Sequence, residues 1–269
     1  PHEVRNADVV VTTTDVVRHR ECLRAWLQSR RALLLCGPPG SGKTMTLSST
    51  LRQMTNVVLA ELNFSSATTS ELLLKTFYSY CEEVRTLHGT FLQPKADFGP
   101  ETWLVVFCDE INLPAPDDYG TQRVISFMRQ IIEQGGFYAK NTQFIKLRRV
   151  QFVGACNPPT DVGRFALTHR FLCLAPVMFV DFPSGESLQQ IYGTFNAALL
   201  KLHPNLRGHD RALTDAMIEV YAFNQETYKS TEQPQYFYSP RELSRWVRGL
   251  YETLDTMDDA SDGQLVRIW

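Results

Sequence analysis

Residues 37–44 have the composition and spacing of a phosphate-binding loop. They read Gly-Pro-Pro-Gly-Ser-Gly-Lys-Thr and match the pattern G-x-x-x-x-G-K-[ST]. Glycines allow backbone N–H groups to converge on a phosphate, while Lys43 offers a cation to the β- and γ-phosphates and Thr44 offers a ligand to Mg²⁺. The alternative is a Gly-Pro turn that binds no ligand. The predicted nucleotide-binding residues of this stretch are Gly37, Pro38, Pro39, Gly40, Ser41, Gly42, Lys43, Thr44 and Met45.

Two acidic residues follow an apolar run that is long enough for a buried strand. Asp109 and Glu110 come directly after residues 103–108, and ligands of open α/β sheets bind at the carboxyl ends of the strands. We expect Asp109 to hold Mg²⁺ through water, and Glu110, on the other side of the pleat, to act as general base toward the attacking water. Two solvated acids at a strand end are the alternative, which the preceding phosphate loop disfavours.

Two further polar residues are candidates for the γ-phosphate end of the site. Asn157 ends another apolar run, and an amide there can fix the lytic water without adding charge. Arg241 opens a predicted helix and reaches the γ-phosphate if the helical part of the chain closes over the nucleotide. The alternatives are an asparagine that favours a turn and a solvated arginine. Lys43, Glu110, Asn157 and Arg241 are the predicted catalytic residues.

Strands and helices alternate along the first 183 residues, which predicts a doubly wound parallel sheet. Apolar runs predict strands at 31–36, 57–64, 103–108, 150–156 and 176–182. Helical spacing predicts helices that begin at Asp15, at 43–54, at 69–85 and before Gly135. Residues 88–100 are expected to form an insertion loop or small hairpin, and residues 137–147 a hairpin that turns near Lys140.

After Pro183 the strands end and the pattern becomes helical. Apolar residues recur at helical spacing within 188–202 and 213–221. Ser239 and Pro240 have the form of an N-cap followed by proline in the first helical turn. We therefore expect a large α/β subdomain at 1–183, with an amino-terminal lead-in at 1–30, and a small all-helical subdomain at 184–269.

The composition disfavours several classes of protein. The chain is 43% hydrophobic and 21% charged, as folded globular proteins are. Its 27 basic and 29 acidic residues give a net charge of -2, so no broad cationic surface is available for nucleic acid or an anionic membrane. No apolar run approaches the roughly 18 residues of a spanning helix, and the six cysteines and six histidines show no metal-ligand spacing. We expect no nucleic-acid or membrane partner and a reducing, cytoplasmic setting.

The motifs together resemble those of AAA+ ATPases, with Asp109 and Glu110 as the Walker B pair, Asn157 as sensor 1 and Arg241 as sensor 2. The stretches at 35–44, 107–114, 153–161 and 239–243 further resemble the AAA+ modules of cytoplasmic dynein heavy chains, and are most like the third module. This resemblance covers nearly the whole chain. It implies a P-loop NTPase sheet of parallel strands flanked by helices, a small helical subdomain, and Mg²⁺-dependent binding of ATP or ADP.

The resemblance also implies roles for residues outside these motifs. AAA+ rings complete each site with an arginine from the neighbouring module, and Arg164 and Arg170 occupy the stretch in which such arginines lie. They are expected on the far side from Lys43, where they would serve another module's nucleotide; ordinary surface arginines are the alternative. Adenine is expected against the lead-in, with Val10 or Val11 over one face of the ring, although a strand edge in the core is an equal alternative for both valines.

Three functions are open on this basis. The first is an ATP-hydrolysing regulatory module, slow in isolation, of a cytoplasmic, cytoskeleton-associated motor, in which it gates microtubule release. Its partners would be neighbouring AAA+ modules of the same heavy chain, with microtubules reached only through the parent motor and accessory subunits as further candidates. The second is a nucleotide-locked structural module with little turnover, which the intact Glu110, Asn157 and Arg241 disfavour. The third, an AAA+ module that acts on DNA or unfolds proteins, is disfavoured by the dynein-like stretches. We predict the first.

Overall fold

The computed structural model describes residues 9–87, 89–139, 141–229, 231–233, 235–257 and 260–269. Its contacts divide the chain into two compact units. The sheet unit contains residues 20–38 and 46–180, and the helical unit contains residues 181–269 together with the described part of 1–19 and with 39–45. This division differs from the expected single cut at 183, because residues 9–19 of the lead-in and most of the phosphate loop group with the helical residues. The first eight lead-in residues, His88 of the expected insertion and Lys140 of the expected turn lie outside the described residues.

Most of the helices and strands that the sequence predicts are present, and they occur in the predicted order. In chain order they are α1 (Thr14–Gln28), β1 (Leu33–Cys36), α2 (Lys43–Arg52), β2 (Val57–Asn63), α3 (Ser70–Tyr80), β3 (Cys81–Thr86), β4 (Gly89–Pro94), β5 (Trp103–Asp109), α4 (Arg123–Gln134), β6 (Gly136–Tyr138), β7 (Phe144–Leu147), β8 (Val150–Cys156), α5 (His169–Leu172), β9 (Val177–Phe179), α6 (Gly185–Leu199), α7 (Asp210–Thr227), α8 (Pro240–Asp255) and α9 (Asp262–Ile268). The short helix α9 has no counterpart in the sequence-based prediction. Among the described residues, no helix has the length and apolar character needed to cross a membrane.

The central sheet of the sheet unit has five strands in the order β2-β5-β8-β1-β9, and all its neighbours pair in parallel. Alternate residues of one strand enter different cores, since Leu33 and Leu35 belong to one apolar cluster and Leu34 to the other. The first cluster includes Leu23 of α1 and the second includes Met128 of α4. Helices therefore cover both faces, which confirms the predicted α/β sheet and explains why its strands are apolar throughout.

Parallel pairing brings the carboxyl ends of β1, β8 and β5 to one edge of this sheet. Cys36 aligns with Cys156, and Cys108 aligns with Gly154. The Gly37 backbone N–H donates to the Cys156 carbonyl at 3.3 Å. The beginning of the phosphate loop, the acidic pair and Asn157 thus follow neighbouring strands at the same edge.

A second sheet of the same unit, in the order β3-β4-β7-β6, corrects one prediction. The helix expected at 69–85 ends at Tyr80, and Cys81–Thr86 forms a strand that pairs antiparallel with Gly89–Pro94. The amphipathic spacing of 81 and 84 fits a helix, but pairing with β4 overrides it because strand formation depends on cross-strand partners. The hairpin expected at 137–147 is confirmed as β6 and β7, preceded by Gly135 in the left-handed conformation that ends α4.

The helical unit has its own apolar core, in which Tyr192 of α6, Met217 of α7 and Leu250 of α8 are fully or almost fully buried. The predicted N-cap of α8 is confirmed. The Ser239 backbone N–H donates to Glu242 Oε2 at 2.8 Å, and the Ser239 hydroxyl accepts from the backbone of the helix, which forms a capping box. This arrangement fixes the start of the helix that carries Arg241.

Candidate nucleotide-binding site

The phosphate loop connects β1 to α2 in a conformation that few residue types adopt. Gly40 and Gly42 both have φ of 85°, a left-handed value that glycine adopts without strain. Ser41 and Lys43 are almost fully buried, at 7% and 8% exposed. The Ser41 hydroxyl oxygen has no hydrogen-bond partner among the described residues. A buried donor in that condition fits a loop that a polar ligand completes.

The phosphate loop and the start of α8 are in close contact within the helical unit. A Cβ atom added to Gly40 would lie 2.8 Å from Ser239 Oγ and 3.4 Å from Arg241 Cγ. Glycine is therefore required at position 40 for two reasons: the backbone has a positive φ, and Ser239 occupies the space that a side chain would need. Arg241, proposed from sequence as a γ-phosphate contact, has its side-chain stem beside the loop.

The acidic pair lies at the end of β5, but its two residues have different backbones. Asp109 is the last residue of the strand, and its Oδ1 accepts from the Glu110 N–H at 2.9 Å. Glu110 has φ of 57°, so the chain turns out of the strand at this residue. The expectation that Glu110 simply continues the pleat on its other side is wrong, because a left-handed residue ends the alternation of the strand.

The structure brings Asn157 and Glu110 together, as the neighbouring strands require. Asn157 is 4% exposed, and its Nδ2 donates to Glu110 Oε1 at 3.4 Å. Its carbonyl accepts from Asn112 Nδ2 at 2.9 Å. Asn112, which is 1% exposed, was missed from sequence because it belongs to no nucleotide motif. A polar residue between Ile111 and Leu113 was the available signal, since a buried amide has to find partners.

Arg164 contacts the acidic pair of its own chain. Its Nη2 lies 2.9 Å from Glu110 Oε2, and its side chain is only 18% exposed. This contact was not expected from sequence; the location on the far side from Lys43 and the role at another module's nucleotide stay predictions. The physical reason for the contact is the path of residues 157–165, which return to the end of β5: the Phe165 N–H donates to the Asn112 carbonyl at 3.0 Å. Arg170, on the short helix α5, is exposed.

The roles of the residues predicted to bind adenine and Mg²⁺ stay predictions. Val10 and Val11 are half-buried in a segment without regular structure, and Met45 is 43% exposed; all three belong to the helical unit. Thr44 lies in the first turn of α2. A hydroxyl and a carboxylate, as in Thr44 and Asp109, are the oxygen ligands that Mg²⁺ prefers. Over the described residues, no cluster of three or more histidine, cysteine or acidic side chains could hold a metal ion.

Comparison with known proteins identifies the chain's relatives. Residues 1–183 match the family described as P-loop containing dynein motor region, and residues 195–269 match the dynein heavy chain ATPase lid domain. The whole chain is 58% identical to a cytoplasmic dynein heavy chain of Dictyostelium discoideum, 55% identical to one of Caenorhabditis elegans and 54% identical to one of Drosophila melanogaster. It spans about 6% of the length of each of these relatives. The chain belongs to the dynein heavy chain family, and it comprises an AAA+ P-loop motor region followed by an ATPase lid.

Proposed function

We propose that this chain binds Mg-ATP and hydrolyses it as one regulatory module of a dynein motor, equivalent to the third AAA+ module. The observation that carries the proposal is the phosphate loop, in which Gly40 and Gly42 are left-handed and the buried Ser41 hydroxyl has no partner among the described residues. A phosphate oxygen would supply the acceptor for that hydroxyl. Backbone N–H groups of the loop and the Lys43 ammonium would bind the remaining phosphate oxygens.

The proposed hydrolysis uses two residues that follow neighbouring strands, Glu110 and Asn157, and one residue at the start of α8, Arg241. Asn157 orients the attacking water, Glu110 accepts its proton, and Arg241 stabilises negative charge on the γ-phosphate. The 3.4 Å contact between Asn157 and Glu110 supports this division of roles, since an orienting amide and a base have to face the same water.

Residues that would bind Mg²⁺ and adenine complete the proposed nucleotide site. Thr44 and Asp109 would hold Mg²⁺, which neutralises charge on the transferred phosphoryl group when it is bound. Val10, Val11 and Met45 would contact the adenine. These assignments follow from residue type and from the AAA+ resemblance.

The proposed regulatory role rests on the resemblance to the third AAA+ module and concerns the longer heavy chain. The module would exchange contacts with neighbouring AAA+ modules of the same polypeptide, and its nucleotide state would gate release from the microtubule, in a cytoplasmic, cytoskeleton-associated motor. The exposed Arg170 is the candidate arginine for a neighbouring module's nucleotide. Accessory subunits are further candidate partners.

A nucleotide-locked structural module is the second candidate function. One observation favours it: both carboxylate oxygens of Glu110 lie against donor groups, one against Asn157 Nδ2 and one against Arg164 Nη2. A carboxylate that already faces two donor groups accepts a proton from water slowly. The two functions therefore differ in the rate of ATP hydrolysis and not in the ability to bind ATP.

The nucleotide that remains bound after loading tests both functions. The purified chain is loaded with Mg-ATP and washed, and bound ATP and ADP are followed over time. We expect wild type to retain nucleotide and Lys43→Ala to lose about 10- to 100-fold in affinity, the effect of removing one charge-assisted contact. Glu110→Gln should retain ATP without forming ADP. Equal affinity in wild type and Lys43→Ala would refute the phosphate-loop assignment.

The gating role requires a second experiment in a heavy chain that carries this sequence. Glu110→Gln traps ATP at this module and should lengthen microtubule attachment in a single-molecule assay. Unchanged attachment times, together with confirmed ATP trapping, would refute gating while leaving nucleotide binding intact.

A further inference from the structure

The ion pair between Arg164 and Glu110 is partly buried and imperfectly formed. Nη2 and Oε2 are 2.9 Å apart, with the two side chains 18% and 32% exposed. The contact is not aligned as a hydrogen bond, and Arg164 Nε is buried without an acceptor among the described residues. Charge attraction therefore accounts for most of the contact, and a better-aligned acceptor could compete for the arginine.

The segment that carries Arg164 is fixed to the segment that carries Glu110. Asn112 makes both links: its side chain donates to the Asn157 carbonyl at 2.9 Å, and its carbonyl accepts from the Phe165 N–H at 3.0 Å. Because these links are made by a residue that is 1% exposed, they hold the two charged side chains at a defined separation. The pair is thus a property of the folded sheet unit and not a chance surface contact.

This geometry conflicts with free action of Glu110 as a base. Oε1 lies against Asn157 Nδ2 at 3.4 Å and Oε2 lies against Arg164 Nη2 at 2.9 Å. A general base needs an oxygen within hydrogen-bond reach of the water whose proton it accepts. The guanidinium competes with that water for the same carboxylate.

We infer that Arg164 is a positioning residue that restrains Glu110, and that turnover at this site requires the carboxylate to exchange Arg164 for the attacking water. The inference rests on the proposed role of Glu110 as general base. It assigns Arg164 to its own chain's site, in addition to any contact it makes elsewhere, and it gives a local physical reason for slow hydrolysis.

The first test is a double-mutant cycle in the nucleotide-free chain, which needs no ATPase activity. Thermal unfolding is measured for wild type, Arg164→Gln, Glu110→Gln and the double variant. We expect the Arg164→Gln change in Tm, about 2–4 °C for a protein of this size, to shrink markedly in the Glu110→Gln background. Arg129→Gln, which breaks the 3.0 Å ion pair with Glu133 on α4, is the matched control and should give the same change in both backgrounds.

The second test measures kcat and KM for ATP in wild type, Arg164→Gln and Arg164→Lys. Release of the carboxylate should raise kcat by up to about tenfold with KM little changed, since a partly exposed pair restrains its partners only modestly. Arg164→Lys keeps the charge but loses the planar fork, so its kcat should lie between the other two. It also keeps the test valid if Arg164→Gln fails to fold.

The outcomes separate this inference from the proposed function. Additive changes in Tm, or a lower kcat in Arg164→Gln with normal ATP binding, would overturn the restraint. Wild-type hydrolysis in Glu110→Gln would instead refute Glu110 as the base, and with it the proposed mechanism. Coupled Tm changes together with a raised kcat would establish Arg164 as the restraint.

Discussion

The contact between the phosphate loop and α8 makes Gly40→Ala the most informative substitution in the chain. The change adds one methyl group at a residue with φ of 85°, where that methyl would lie 2.8 Å from Ser239 Oγ and 2.9 Å from Ser239 Cβ. Both distances are shorter than van der Waals contact allows. Either the loop or the capped start of the helix has to move.

The expected loss of stability has two parts. A left-handed alanine costs about 1–2 kcal/mol relative to glycine, and displacement of the Ser239 cap costs about 0.5–2 kcal/mol more. We therefore expect Gly40→Ala to lower the free energy of unfolding by about 1.5–4 kcal/mol. Gly208→Ala is the matched control, because Gly208 has φ of 96° in the same unit but a Cβ there would meet nothing within 4 Å. Gly208→Ala should therefore lose only the free energy that a left-handed alanine costs, with no steric contribution.

The assay is urea denaturation of both variants and wild type, followed by equilibrium binding of ATP. Gly40→Ala should unfold at a lower urea concentration than Gly208→Ala and should bind ATP at least about tenfold more weakly, because the loop N–H groups no longer converge. Gly208→Ala should bind like wild type. If the two variants unfold at the same urea concentration and bind ATP equally, the close approach of Gly40 to Ser239 does not constrain the loop.

Three further predictions concern pH and packing. Hydrogen bonds, of which that from the Ser187 hydroxyl contributes most, lower the pKa of the Asp15 carboxyl below 3.8. Asp15→Asn should therefore lower Tm near neutral pH, and the difference from wild type should vanish as the pH falls through the lowered pKa. An equal difference in Tm at acid pH would contradict these hydrogen bonds. Burial raises the pKa of Tyr192 from 10.0 to about 12. Wild-type Tm should therefore fall as the pH rises from 10 to about 12, and thermal melts of Tyr192→Phe should lack this part of the loss. Gly154→Ala would place a Cβ 2.8 Å from Leu34 Cδ1 and should lower the free energy of unfolding by about 1–3 kcal/mol, measured by urea denaturation; wild-type stability would show that this core has spare volume.

Most of the sheet unit could be predicted because its strands are buried on both faces and therefore form continuous apolar runs. The sequence also indicates that Asn157 and the acidic pair both follow buried strands, but the neighbouring positions of β5 and β8 are known only from the structure. Cys81–Thr86 could not be assigned correctly, since helical spacing of two apolar residues does not report a cross-strand partner such as Gly89–Pro94.

The sequence indicates which residues belong to the candidate site but not which of them contact one another. The phosphate loop, Asp109 and Arg241 follow from motifs whose spacing has a physical cause. The turn of the backbone at Glu110 and the ion pair with Arg164 depend on where residues 157–165 return in space, and a linear pattern carries no such information. Asn112, which fixes that return, lies in the family-like stretch 107–114 but belongs to no nucleotide-binding motif.

The helical unit is assembled from parts of the chain that are synthesised at very different times. Asp15 accepts from the Ser187 hydroxyl at 2.7 Å across 172 positions, and Gln190 donates to the Thr12 carbonyl at 3.0 Å across 178 positions. Contacts of such long sequence separation form late and slowly, because the intervening chain has to be ordered or looped out first. During translation, the segment that carries Thr12 and Asp15 can therefore make these contacts only after residues 181–269 have been synthesised, so the helical unit is the last part of this module to be completed.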